Sequence, residues 1–469
     1  MATMDTTDFE ELSRLVDGHA TFRGHHSLDD LHDESLHLRP NNPLAVVRPA
    51  STADVQAVLR WANDRQVPVT ARGSGTGLSG GATPLNDGIV VAFDRMNDVL
   101  RLDVNDHVCV VQPGVTLREL DDFLHPTDLH YPVYPGELSA SLGGNVATNA
   151  GGMRAVRHGV TRHHVLGLEL VLIDGTVVRT GGPVVKSSSG YDLTQLMIGS
   201  EGTLALVTEV TLRLSPRLAH SATLLVPFST LVEVTSVVPR LITLGLEPSV
   251  LEYIDFLTMA SLVKSADLVL GVETAIAEAA FAYLVVVLET RTPEQLDLDI
   301  AAAADLLTAA GALEVYVLNG ASAAQLIQAR ERLFWTAKAA GADEIIDVVV
   351  PRSAVATYLE SVSVVAANHG AFVAGCGHVG DGNVHLSVFQ PDAAKRRDLL
   401  MELLGAGVAL GGAISGEHGI GMDKQEPYLA LTDPAIIDLQ RRIKQVFDPR
   451  GLLNPRRHVD TSTFDAGAH

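Results

Sequence analysis

The stretch Cys376 to His385 reads C-G-H-V-G-D-G-N-V-H and sets His378 and His385 either side of a Gly-Asp-Gly turn. Further on, Gly416 to Gly421 reads G-E-H-G-I-G and holds Glu417 and His418. Two imidazoles and one carboxylate, His378, His385 and Glu417, make a donor set for a divalent cation that leaves a position open. Zinc and manganese are the leading candidates; iron(II) accepts the same ligands, and affinity order alone does not choose. His418 is then a spare imidazole, suited to general-base work near neutral pH. A lone histidine is more often a satisfied core residue; two at this spacing, joined by a Glu-His pair bracketed by glycines, favour the metal reading. Lys424, just after G-I-G-M-D, is a further charged candidate near a bound anion, with a surface lysine the plain alternative.

These residues need a frame. Phe372 to Gly375 and Val384 to Phe389 alternate as strands around Gly380-Asp381-Gly382-Asn383, so a hairpin would turn the two histidines towards each other. From 217 to 433 strands near 223–227, 283–288, 315–318 and 345–350 alternate with helices near 229–244, 294–310, 322–339 and 352–368. That is an α+β pattern.

The earlier half reads as a cofactor domain. Ser51 caps a helix whose apolar stripe is Val55, Val58, Leu59 and Ala62. A strand over 67–71 leads into Arg72-Gly-Ser-Gly-Thr-Gly-Leu-Ser-Gly-Gly81. Gly75, Gly77 and Gly80 match the dinucleotide fingerprint, and Asp94 stands at a suitable distance. The fingerprint also requires a helix straight after the glycines. Here Gly81 to Gly88 is broken by Pro84 and followed at once by the strand 89–93, so a Rossmann fold is rejected. A glycine loop between strands still offers free N–H groups to phosphate, and so many glycines behind Arg72 favour that over a plain turn. Pro135 to Gly152, P-G-E-L-S-A-S-L-G-G-N-V-A-T-N-A-G-G, is uncharged after Glu137 and rich in small polar residues. It suits a buried segment lying against a large planar ligand. A hairpin over 166–180 turning at Asp174-Gly175 and a long strand over 204–214 complete this part.

Composition sets outer limits. A chain of 469 residues exceeds one core, and 46% hydrophobic with 19% charged residues is globular, not disordered. A net charge of −22 argues against nucleic acid. Cys109 and Cys376 are the only cysteines, too few for an iron–sulfur cluster or a disulfide framework. The acidic N-terminus has no apolar run, so no signal peptide is expected, and uncharged runs such as Leu403 to Gly416 are too short or too glycine-rich to span a bilayer. The expected location is cytoplasmic, with peripheral association at the inner membrane face left open. His25, His26, His32 and His37 lie among acids without ligand spacing and read as solvated surface.

R-G-S-G-T-G-L-S-G-G, L-G-G-N-V-A-T-N-A-G-G and G-S-E-G-T-L-A-L-V-T-E-V-T-L together resemble the flavin domain of the vanillyl-alcohol-oxidase (PCMH) type. The C-terminal half resembles the branch that oxidises D-2-hydroxyacids: D-lactate dehydrogenases, glycolate oxidase flavoprotein subunits and D-2-hydroxyglutarate dehydrogenases. The likeness runs from about Asn42 to Arg456. It implies an α+β chain organised as a leader (1–40), a two-part FAD domain (41–216), a cap domain with an antiparallel sheet carrying the metal site (217–433), and a C-terminal segment returning to the FAD domain (434–469). It implies FAD held by Arg72, Gly73, Ser74, Gly75, Thr76, Gly77, Gly80, Pro113, Glu137, Leu138, Ser141, Leu142, Gly143, Asn145, Thr148, Asn149, Gly151, Gly152, Gly159, Val207 and Asn454. Some relatives attach FAD through a histidine in or just after the glycine loop. Ser74 and Thr76 stand there in this chain, so non-covalent FAD is expected.

The resemblance aligns Arg330, in A-R-E-R-L-F-W, with an arginine that binds the substrate carboxylate; Arg332 is two residues on. A 2-hydroxyacid would chelate the cation, His418 would take the hydroxyl proton, and the C2 hydride would pass to flavin N5. Electrons would then leave to a quinone, an electron-transfer flavoprotein, a cytochrome or a separate iron–sulfur subunit. Relatives acting on 2-hydroxyglutarate carry a lysine in the strand before V-P, where this chain has E-I-I-D-V-V-V-P, and an Asn where it has Ser387. The departures favour D-lactate, glycolate or a larger apolar 2-hydroxyacid. The rivals are a transferase resembling alkyldihydroxyacetonephosphate synthase and a subunit of a multi-protein oxidase.

Overall fold

A computed structural model describes residues 4–23, 31, 33–37 and 41–460. Three sheets matter for the site. The first has strands Ala20–Phe22, Ala45–Val47, Ile89–Ala92 and Val69–Arg72 in that order, the last three mutually parallel. Parallel strands need both faces covered. The helix Thr52–Arg65 covers one face, capped by Ser51 and burying Val55, Val58, Leu59 and Ala62. The second sheet is antiparallel, in the order Val99–Asp103, Val108–Val111, Leu206–Arg213, Val165–Val171, Val177–Gly181. Leu206–Arg213 alternates buried and half-buried residues, as a strand with one core face must.

The third sheet has seven antiparallel strands, in the order Tyr316–Leu318, His220–Phe228, Ala282–Thr290, Val250–Asp255, Phe372–His378, Asn383–Phe389, Glu344–Val349. Helices Leu231–Thr243, Pro293–Ala309, Val355–Asn368 and Ala393–Ala409 bury one face. Phe256–Ser265 and Gly320–Glu331 cover part of the other. After the helix Pro434–Phe447 the chain returns to the first sheet: Val69 N donates to Leu452 O at 2.8 Å and Asn454 N to Val69 O at 2.8 Å. Among the described residues no helix is long and apolar enough to cross a membrane.

The elements differ from expectation in several places, and the helices Phe256–Ser265 and Ala393–Ala409 and the strand Val99–Asp103 are additions to those expected. The segment 135–152 contains a helix, Leu142–Thr148, capped by the Ser141 hydroxyl. The helix expected over 322–339 breaks at Arg332 into Gly320–Glu331 and Leu333–Ala339. The strand Val250–Asp255 was not expected at all. The leader differs too: Asp33 and Ser35 are buried, not solvated, because this stretch packs under the glycine loop. There Asp33 accepts from Ala82 N and Thr83 Oγ1, both at 3.4 Å, and Ser35 hydrogen-bonds Asp423. His37 pairs with Glu344 at 2.5 Å instead of facing solvent alone. His25, His26 and His32 lie outside the described residues.

Candidate active site

Two strands of the cap sheet bring the histidines together. Phe372–His378 pairs with Asn383–Phe389 so that Cys376 stands opposite His385, and the rings of His378 and His385 meet edge-to-face at 4.9 Å. Glu417 closes the group, with Oε1 3.3 Å from His378 Nε2 and 3.2 Å from His385 Nε2. Donor atoms around one cation with bonds of about 2.1 Å stand roughly 3.0–3.4 Å apart, so this spacing fits. Each imidazole also has a carboxylate at its far nitrogen, the arrangement that aims metal ligands. His378 Nδ1 contacts Glu252, and His385 Nδ1 is 3.9 Å from Asp347 Oδ1.

Charge balance supports the same fit. Burial opposes a charged His378, yet Glu252 and Glu417 carry its pKa up to about 10. Burial also opposes an ionised Glu252, but Arg330 and His378 hold it at about 2. Glu417 is likewise held well below the usual carboxylate range against its burial, by His378 and His385. The pocket therefore demands positive charge at His378, which a proton or a cation can supply. His418 differs. Burial, helped by Lys424 and His385, lowers it to about 4, so it stays a neutral imidazole at pH 7.

Arg330 ends its helix buried, with Nε donating to Glu252 at 2.8 Å and Nη2 without a hydrogen-bond partner. A buried guanidinium nitrogen left unpaired is costly, and its geometry matches a carboxylate. Arg330, His378, His385, Glu417 and His418 share one cavity of about 100 Å³, whose remaining wall includes Leu78, Met153, Leu333, Phe334 and Ile345. Lys424 does not line it. Its ammonium is 3.1 Å from Ser415 Oγ and 3.6 Å from Asp347, buried on the far side of the loop, so neither a surface position nor one facing the cavity applies.

The cavity adjoins a cleft of about 320 Å³ whose walls carry Glu417 and His418 as well. Of the residues expected to hold a cofactor, Gly73, Ser74, Gly75, Thr76, Gly77, Pro113, Glu137, Ser141, Gly143, Asn145, Thr148, Gly151, Val207 and Asn454 line it. Seven do not. Arg72 lies behind the loop, bonding Leu31 O and Gly73 O. Gly80 packs on Met422, Leu138 and Leu142 belong to the core beneath, and Asn149 caps the helix Leu142–Thr148 in the left-handed conformation. Gly152 lines the smaller cavity, and Gly159 sits against His163. The cleft fits a large polar ligand. Ser79 Oγ, Asn145 Nδ2 and Asn454 Oδ1 are buried in its wall without partners, three atoms able to bond a flavin's polar edge.

Several cleft residues were not anticipated, among them Asp33, Glu331, Phe334, Trp335 and Glu201. Glu201 is buried and accepts from Ile420 N at 2.6 Å and Gly421 N at 2.8 Å, which ties the Glu417–His418 loop to the first half of the chain. Its signal was a lone acid inside the glycine-bracketed G-S-E-G-T.

Comparison with known proteins supports a flavin in this cleft. Residues 43–181 match the family model described as FAD binding domain, and 217–458 match FAD linked oxidases, C-terminal domain. An uncharacterised FAD-linked oxidoreductase of Mycobacterium tuberculosis is 51% identical over 91% of this chain and 93% of its own. The D-lactate dehydrogenase of Archaeoglobus fulgidus is 36% identical over 88% and 91%. Glycolate oxidase subunits and D-2-hydroxyglutarate dehydrogenases match at 30 to 36%. A p-cresol methylhydroxylase structure superposes with a TM-score of 0.76 at 17% identity, over 97% of this chain and 98% of that one, which shows the PCMH-type fold. The chain belongs to the FAD-linked oxidoreductases, in the branch that holds the D-lactate, glycolate and D-2-hydroxyglutarate dehydrogenases.

Proposed function

We propose that this protein oxidises a D-2-hydroxy monocarboxylate to the 2-oxoacid, using non-covalent FAD and a divalent cation held by His378, His385 and Glu417. One observation carries the reading: His378, His385, Glu417, His418 and Arg330, whose Nη2 has no hydrogen-bond partner, all line one small cavity that adjoins the cleft. When bound, the flavin supplies a two-electron acceptor and the cation a Lewis acid that lowers the hydroxyl pKa. Arg330 holds the substrate carboxylate. His418 takes the hydroxyl proton, and the C2 hydrogen leaves with its electron pair, so the acid loses two protons and two electrons in all.

The rest of the wall supports a monocarboxylate. Leu78, Met153, Leu333, Phe334 and Ile345 surround the space left for the acid's side chain, and Arg330 is the only lysine or arginine among the lining residues. D-Lactate and larger apolar 2-hydroxyacids satisfy that surface; a second carboxylate would find the Ser387 hydroxyl but no second cation there. Ser74 and Thr76 line the cleft at the glycine-loop positions, with no histidine among them, which supports non-covalent FAD. Both cysteines are buried and far apart in sequence, so electrons pass onward to a separate acceptor such as a quinone, an electron-transfer flavoprotein or a cytochrome.

The test is anaerobic. The yellow protein is mixed separately with D-lactate, L-lactate, glycolate, D-2-hydroxyisocaproate and D-2-hydroxyglutarate while the flavin's visible absorbance is followed. Rapid bleaching by the D-monocarboxylates is expected, abolished by chelation and by His418→Ala. Bleaching by no 2-hydroxyacid, with FAD and metal both measured as present, would sink the proposal.

A further inference from the structure

Behind the site lies a carboxylate with an unusual number of donors. Asp347 stands opposite His385 in the strand pair Glu344–Val349 and Asn383–Phe389, and its side chain is fully buried. Its Oδ2 accepts from Ser415 Oγ at 2.9 Å, Gly416 N at 3.0 Å, Glu417 N at 3.0 Å and His418 N at 2.9 Å. Its Oδ1 accepts from Asn383 Nδ2 at 2.6 Å. The 415–418 loop is thus wound around one anion, much as a backbone nest holds a phosphate. Gly416 makes the winding possible, since a Cβ there would stand 2.2 Å from Asn383 Nδ2.

The same carboxylate faces two imidazoles. His385 and His418 stack at 5.1 Å between centroids. Asp347 lies 3.9 Å from Nδ1 of the first and 3.8 Å from Nδ1 of the second. Their Nε2 atoms point the other way, 3.2 and 3.9 Å from Glu417 Oε1. We propose that Asp347 is a positioning residue that winds the Glu417–His418 loop and fixes Nδ1 as the protonated nitrogen of both His385 and His418. This rests on the metal reading above. At 3.8–3.9 Å neither contact is a hydrogen bond, so the selection is electrostatic: an anion favours the N–H end of each ring. Glu417 pulls the opposite way, and a cation bound to Glu417 removes that pull. Nε2 of His385 is then free to ligate and Nε2 of His418 free to accept the substrate proton.

Asp347, His385 and His418 lie close enough to be read as a metal trio themselves. The donor count argues against it. Four donors already crowd Oδ2, more than its lone pairs serve, and the Lys424 ammonium 3.6 Å away repels a cation.

The experiment uses flavin-loaded protein freed of metal and titrated with zinc by calorimetry, for the wild type, Asp347→Asn and His385→Ala. Asp347→Asn should keep its flavin and bind zinc about 10–100-fold more weakly, the usual effect of removing a group behind a ligand. Zinc affinity unchanged in Asp347→Asn overturns the proposal, and so does a loss as complete as in His385→Ala, which would make Asp347 a ligand. A wild type that takes up neither zinc nor, in parallel titrations, manganese or iron(II) fails the metal reading itself and this proposal with it. Nitrogen-15 spectra of histidine-labelled, zinc-loaded wild type need no variant to fold: His418 should carry its proton on Nδ1, and an Nε2–H tautomer overturns the assignment.

Discussion

Glu252 has no water to turn to. Its side chain is 1% exposed and its two oxygens are taken by Arg330 and His378. Glu252→Ala would leave two buried cations without their anion, and breaking such a pair costs about 3–5 kcal/mol. The variant should melt well below the wild type by calorimetry. A melting point within a degree or two of wild type would mean that Arg330 and His378 find other partners. Sequence distance explains why this residue was passed over. His378 and His385 announce each other because a single turn joins them, whereas Glu252 stands 126 positions before His378. Within V-L-E-Y-I-D it reads as an acid that interrupts an apolar run, yet the run is a central strand and the acid is the buried partner of Arg330 and His378. Asp347 was hidden in the same way inside E-I-I-D-V-V-V-P. Ligands that meet a cation carry chemistry in their type and spacing; the groups behind them are set by sheet register alone.

At the scale of elements, the segment 135–152 supplies much of the cleft wall. Its composition gave away the close approach but not the helix Leu142–Thr148, since glycine and threonine are poor helix formers. Capping by Ser141 and packing of Leu142 and Val146 override propensity there. The segment's tightest point is Gly152, at φ +126, where a Cβ would stand 1.9 Å from Tyr134 O. Gly152→Ala must push the 134–136 backbone away from the cleft wall. The purified variant should carry markedly less FAD per chain than the wild type, measured from visible against ultraviolet absorbance after acid release. Gly320→Ala is the matched control: Gly320 opens a helix at a position where a Cβ meets nothing within 4 Å. It should keep its full flavin and gain up to about 1 kcal/mol of stability. Equal flavin content in both variants would sink the argument.

Across the whole molecule, most strands of the flavin half and of the cap sheet follow from apolar runs and turn signals that a sequence displays openly, Val250–Asp255 being the exception at the centre of the cap sheet. The contacts that join them do not. Glu201 reaches from the flavin half to the loop at Ile420, Ser35 bonds Asp423, and His37 bonds Glu344, so the N-terminal stretch is clamped against the cap instead of trailing in solvent. Its acids looked solvated because nothing local marks which of them is buried. Asp33 is, and burial, with the charge of Asp423 adding to it, raises its pKa from 3.8 to about 6. The sign follows from proton binding. A carboxyl whose folded pKa lies above its unfolded value stabilises the fold fully below pH 3.8, and that contribution is lost as pH rises through 6. At pH 7.5 the ionised Asp33 therefore opposes the clamp by an amount on the order of 1–3 kcal/mol. Asp33→Asn removes the charge while keeping an oxygen to accept from Ala82 and Thr83. It should melt higher than the wild type at pH 7.5, and the difference should shrink steadily as both are measured down to about pH 5. A difference that stays constant over that range would show that Asp33 is no more strained when ionised than when protonated.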